Sequence, residues 1–216
     1  MRRMLERYYG TKYIFPNDML LDVSFSAEYP DEKWLISNKN KLPKYKALFL
    51  HWPLYFKNEL PRKHRTALFV RDPLQRTLSV LADGSIRFKR PVEDLLKDQN
   101  YINNYIKNIQ TRFLGSRNEN EFRYGGELEL LKNTLPQIED INFLGITELF
   151  NDSCLMFDKT FGTKISLLQM KENVLRPCKS DLMEYAERVK PWIEKDQILY
   201  ENIKVLFAKR KRNIGL

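Results

Sequence analysis

Arg71, Asp72, Arg76 and Ser79 are the residues whose types and spacing best suit holding a phosphate. They follow Ala67-Leu68-Phe69-Val70, an unbroken apolar run that predicts a strand buried on both faces. Asp72-Pro73 then predicts a helix start, because a short acid can cap the first turn and proline fits it. A strand would thus deliver the Arg71 guanidinium to a helix mouth, where free N–H groups and the dipole favour an anion. Arginine suits that place because its planar fork donates two parallel hydrogen bonds to phosphate oxygens. Leu74, Leu78 and Leu81 form the buried stripe of the helix. Asp72, Arg76 and Ser79 fall on the opposite face, so the anion must sit at the helix edge, walled by another element. His51 is the candidate base, since a neutral imidazole can take a proton near neutral pH. An ordinary histidine hydrogen-bonded beside Trp52 is the competing reading of that residue. His64 lies in the basic stretch Arg62-Lys63-His64-Arg65 and is expected to face solvent.

Three short apolar runs, at Lys46–Leu50, Ala67–Val70 and Asn142–Ile146, alternate with helical patterns. That alternation predicts an α/β fold, layered, with a mainly parallel sheet flanked by helices. Ligands of such sheets bind beyond the carboxyl ends of the strands. His51, Arg71 and Thr147 each directly follow a strand candidate, so one crevice could collect all three. The remaining pattern predicts a helix from Met1 to Tyr9 ended by Gly10, a loop with a short extended piece over 11–30, and a helix from Asp31 to Leu42. Asp83-Gly84-Ser85 reads as a turn and Pro91–Lys97 as a short helix. Tyr101–Leu114 reads as one helix, 116–126 as a mobile loop, Thr147–Phe161 as a helix capped by Thr147, and Asp196–Lys211 as the last helix. Arg112 could contact a ligand or satisfy helix-end carbonyls.

Arg71-Asp72-Pro73, Arg76 and Ser79 after an apolar strand resemble the 3′-phosphate-binding motif of sulfotransferases that use 3′-phosphoadenosine 5′-phosphosulfate (PAPS). The carbohydrate-type group, sulfotransferase family 2, is the nearest in pattern. Asn108-Ile109-Gln110-Thr111-Arg112 resembles a second segment of that family. Phe143-Leu144-Gly145-Ile146-Thr147-Glu148 resembles a third, and Asp196 through Leu199-Tyr200 a fourth. The resemblance implies a P-loop nucleotide-hydrolase-like sulfotransferase fold, with Arg71 and Ser79 binding the cofactor 3′-phosphate and His51 as base. It implies sulfuryl transfer from PAPS to a hydroxyl acceptor, of carbohydrate type. The family's Lys-Thr-Gly-Thr-like loop for the 5′-phosphosulfate, with the strand before it, has no counterpart in this sequence. The expectation is therefore a single domain over 1–216, N-terminally truncated, with a gap or an exposed edge beside the central strand. A homologue that only binds an anionic nucleotide or glycan is the alternative.

A chain of 216 residues with 43% hydrophobic and 30% charged residues suits one globular domain. Its formal charge of +9 favours an anionic partner. A basic nucleic-acid-binding module is the weaker third reading; Lys209-Arg210-Lys211-Arg212 reads as a solvated helix end favoured by the dipole, and no nucleic-acid partner is expected. Cys154 and Cys178 show no metal-ligand spacing, and Cys154 falls on an apolar stripe that predicts a buried thiol. No apolar run reaches the roughly 18 residues of a membrane span, and no signal-peptide pattern opens the chain. A cytoplasmic location is expected, or a Golgi-lumenal one if an anchor precedes Met1.

Overall fold

The computed structural model describes residues 1–10, 14–15, 40, 47–48, 53–60, 64–168 and 179–216. His51, Cys178 and nearly all of the expected 31–42 helix lie outside the described residues. The chain is an α/β protein, predominantly helical, with parallel strand pairs. Helix α1 (Arg2–Tyr9) ends at Gly10, whose φ of 86° is the left-handed turn that glycine supplies. Strands β1 (Ile14–Phe15) and β2 (Ala47–Leu48) pair in parallel. Strand β3 (Ala67–Val70) pairs in parallel with β4 (Phe143–Ile146), placing Val70 opposite Ile146. The strands thus form two separate pairs among the described residues, where one layered sheet was expected.

After β3 come α2 (Pro73–Phe88), α3 (Ile109–Gly115), α4 (Glu127–Glu139), α5 (Phe150–Phe161) and α6 (Glu194–Asn213), with shorter helical pieces between them. Asp72 caps α2 as its sequence predicts, accepting the Gln75 N–H at 2.8 Å. The leucine stripe is buried: Leu78 and Leu81 are fully enclosed against Leu95, Tyr101, Ile106, Val189 and Ile193. A second core lies around β4, where Phe143, Leu144 and Ile146 meet Phe157 of α5, Leu199 and Ile203 of α6, and Leu5 of α1. Cys154 is a buried free thiol in that core.

Several local expectations give way to packing. Residues 83–85 do not turn; α2 runs on to Phe88 and ends at Lys89, in the left-handed region with φ of 51°. Gly84 stays helical because the chain needs its small size there: a Cβ would stand 2.1 Å from the Tyr101 hydroxyl. Nor is 101–114 one helix. A π-type turn over Ile102–Ile106 breaks at Asn108, whose φ of 42° starts α3 in a new direction. Residues expected to form a mobile loop contain a short helix, Glu119–Tyr124, capped by Asn118 and laced by Arg117–Glu121 and Arg123–Glu119 pairs. Thr147 does not cap α5. It opens a 3₁₀ turn, and its hydroxyl donates to the Val70 carbonyl at 2.9 Å.

Backbone groups of a strand alternate between its two sides, so these bonds fix which way each residue faces. The Thr66 carbonyl accepts from Phe143 N–H, and the Val70 carbonyl accepts from Thr147, so these residues face β4. Arg71 therefore presents its N–H and C=O to the opposite edge. The outer edge of β4 is closed at Ile146 by Ser153, whose hydroxyl accepts the Ile146 N–H and donates to the Ile146 carbonyl. Ser153→Ala leaves that buried N–H without a partner. It is expected to lower stability by about 1–3 kcal/mol in urea titration; an unchanged midpoint would mean that water or another group replaces the hydroxyl.

Candidate functional site

At the carboxyl end of β3 the chain leaves through Arg71, and a ring of polar contacts from three distant segments closes around it. Gln110, the second residue of α3, pairs with the Arg71 backbone through its side-chain amide. The Arg71 N–H donates to Gln110 Oε1 at 3.1 Å, and Gln110 Nε2 donates to the Arg71 carbonyl at 2.9 Å. The amide thus satisfies, at one residue, the edge that has no strand beside it among the described residues. The Arg71 side chain reaches toward Glu148, with Nε 3.9 Å from Oε1, and is 25% exposed. Glu148 also accepts from the Tyr200 hydroxyl at 2.9 Å. Burial, then the adjoining Glu148, pushes the Tyr200 phenol up, so it stays protonated and donates.

Tyr200 and Asp196 lie one turn apart on α6, and Asp196 completes the ring. Its carboxylate accepts the N–H groups of Thr111 at 2.7 Å and Gln110 at 3.1 Å, the open N-terminus of α3. Asn108, just before α3, returns the arrangement. Its Oδ1 accepts the N–H groups of Lys195 and Asp196 at 2.9 and 3.2 Å, capping the start of α6. Its Nδ2 donates to Glu127 at 2.7 Å. The two helices therefore cap each other. Burial pushes the Asp196 carboxyl up, while the Thr111 and Gln110 bonds and the nearby Arg76 guanidinium pull it down.

Arg76 projects from α2 on the same side. Burial pushes its guanidinium down; Asp196 counters this and Arg71 adds to it. Arg76 Nη1 donates to the Tyr105 carbonyl at 3.2 Å. Arg76, Val70 and Gln110 line a cavity of about 820 Å³ between β3, α2, the 101–105 segment and α3. Most of its wall is apolar, with Phe69, Phe88, Phe113 and Phe122 prominent.

The sequence-predicted residues separate here. Arg71 stands at the strand tip, as expected. Ser79 is buried two turns along α2 and does not line the cavity; the motif member that does is Arg76. His51 lies outside the described residues, and His64 is exposed. Arg112 serves structure: it donates to the carbonyls of Phe122 and Asn103 and stacks over the Phe122 ring. In the basic run, Arg210 donates to the carbonyls of Ile138, Glu139 and Ile141, and Lys211 pairs with Asp152. Half of that run is thus used inside the molecule. Among the described residues no group of three or more His, Cys, Asp or Glu could hold a metal, and no helix is long and apolar enough to cross a membrane.

Gln110, Asn108, Glu148, Asp196 and Tyr200 were not singled out by residue type. The available signal was their membership of the second, third and fourth motif-like segments, all of which meet at one strand tip. The arrangement defines a class: an α/β protein whose polar groups converge at the carboxyl end of a parallel strand. No family model matches the chain, nor does any curated protein or solved structure.

Proposed function

We propose that this chain belongs to a PAPS-dependent sulfotransferase and forms its 3′-phosphate side, with Arg71 as the phosphate-binding residue. One observation supports the reading most. The four segments that resemble the family lie far apart in sequence, yet their polar residues close one ring around Arg71. An unrelated chain has no reason to gather the same four segments at one strand tip.

The reaction would proceed by attack of an acceptor hydroxyl oxygen on the sulfur of PAPS. The bond from sulfur to the bridging phosphate oxygen breaks, and its electron pair leaves with adenosine 3′,5′-bisphosphate. The hydroxyl proton passes to a base, for which His51 is the candidate. Positioning and charge stabilisation supply most of the acceleration in transfers of this type. The resemblance implies a sugar hydroxyl as the acceptor. A second reading, binding without transfer, is favoured by the absence from this sequence of a Lys-Thr-Gly-Thr-like loop.

Calorimetry with adenosine 3′,5′-bisphosphate and with adenosine 5′-monophosphate tests both. The proposal expects the bisphosphate to bind at least about tenfold more tightly, the worth of one charge-assisted contact to the 3′-phosphate. Equal affinity for the two would overturn it. Transfer of labelled sulfate from PAPS then separates an enzyme from a binding protein.

A further inference from the structure

We propose that the outer face of α6 pairs, antiparallel, with the same face of a second copy of this chain, making a weak two-fold dimer. The pairing is independent of what the strand tip binds.

Helix α6 spans 20 residues and buries one side, with Leu199, Ile203 and Phe207 in the core. Its opposite side is exposed, and there a second apolar stripe runs. Ile198 and Val205, two turns apart, are 42% and 72% exposed. Seven-residue spacing puts both on one line, the seam along which two helices interlock side by side. Single exposed apolar residues need no explanation; the charges at the two ends give this pair one. Glu194 lies about one turn before Ile198 and Lys209 about one turn after Val205, both exposed on the same line. The stripe therefore reads acid, apolar, apolar, base. A partner must carry the reverse order, and an antiparallel copy of the same stripe has it. With a two-fold axis between Glu201 and Asn202, Ile198 faces the partner's Val205 and Glu194 faces the partner's Lys209, each contact made twice.

The local ion pairs suit this register. Lys209 makes no ion pair among the described residues, and Glu194 pairs with its neighbour Lys195 at 3.0 Å, near the outer end of the seam. Glu201, beside the axis, is neutralised by Lys204 at 2.7 Å, so the two copies do not set bare carboxylates together. An anionic surface would instead meet Glu194 and Glu201 along this face. Two factors keep the dimer weak. The formal charge of +9 opposes self-association at long range. A pair of helices about 30 Å long also covers less than the roughly 1,200–2,000 Å² of a stable interface, so a Kd of about 10–100 µM is expected. The inner side of α6 carries Asp196 and Tyr200, so the pairing would brace the helix that holds the ring around Arg71.

The test is sedimentation equilibrium on the full chain from about 5 to about 500 µM, a range that brackets the expected Kd. A monomer–dimer equilibrium is expected, with no larger species. Val205→Lys, at an exposed position, should weaken the dimer at least about tenfold. Glu194→Lys and Lys209→Glu should each weaken it about threefold or more. The two together should restore it to within about twofold of wild type, because the facing charges are then exchanged. A chain that stays monomeric throughout that range would overturn the proposal. So would a dimer that Val205→Lys leaves intact, since it would use another face. A double variant no tighter than either single one would reject the antiparallel register, and the assignment with it. If Glu194→Lys unfolds the start of α6, wild type and Val205→Lys still decide.

Discussion

Asp196→Ala is expected to lower the stability of the fold by about 3–5 kcal/mol, the largest loss of any single side-chain truncation at this site. Two backbone N–H groups at the start of α3 lose their acceptor, and the one at Thr111 is shut away from water with Asp196, which is 2% exposed. The Arg76 guanidinium loses its nearest counter-charge at the same time. Asn108 still caps α6, so the start of that helix should persist while α3 loosens. Gln110 sits in that loosened turn and pairs with the Arg71 backbone, so damage should spread to the strand tip. Amide exchange should rise at Gln110, Thr111 and Arg71 before it rises in α6. The pH dependence has a definite sign. Burial raises the folded-state carboxyl above its unfolded value, so folding takes up a proton between the two. The wild-type contribution is then full below the ordinary carboxylate range and declines as pH rises through the raised value. The stability gap between wild type and Asp196→Ala should therefore be widest in acid, read from urea midpoints across pH. A gap that widens instead toward neutral pH would show that the carboxylate, and not the carboxyl, is the preferred form at the α3 terminus.

That ring also marks where sequence reading succeeds and where it stops. Strands β3 and β4, the Asp72 cap, the buried Leu78–Leu81 stripe and the buried Cys154 follow from short-range pattern, because apolar spacing and capping are local properties. The break at Asn108 does not follow from it. Ile102, Ile106 and Ile109 share a helical face by spacing, and only the bonds from Lys195 and Asp196 to Asn108 reveal why the chain changes direction there. Those partners lie more than 80 residues away, beyond any window in which periodicity is read. Gly84 shows the same limit from the other side: a Gly beside Asp and Ser reads as a turn until Tyr101 packs against it. At the site, Arg71 was legible because an arginine after a buried strand is a local pattern. Arg76 was legible as a cation but not as a cavity residue, since the wall opposite it comes from α3 and the 101–105 segment. Gln110 was invisible as a strand partner because nothing in its type announces that its amide will stand in for a backbone neighbour.

Arg71→Met is expected to weaken adenosine 3′,5′-bisphosphate binding by about 30- to 100-fold while leaving adenosine 5′-monophosphate within about twofold. The asymmetry follows from the proposed role, since only the 3′-phosphate would meet this guanidinium. The side chain is partly exposed, and its ion pair with Glu148 is long at 3.9 Å, so its loss is worth less than about 1 kcal/mol. Gln110 holds the strand tip through the Arg71 backbone, which the substitution keeps. Arg71→Lys refines the reading, because it retains the charge but not the two parallel donors of the fork. Its affinity should fall between those of wild type and Arg71→Met. Glu148→Gln supplies the opposite sign: a phosphate must compete with that carboxylate for the guanidinium, so neutralising it should tighten bisphosphate binding by a few-fold. Equal losses for the mono- and bisphosphate in Arg71→Met would place the guanidinium away from the 3′-phosphate. The sulfotransferase proposal would then lose its main anchor.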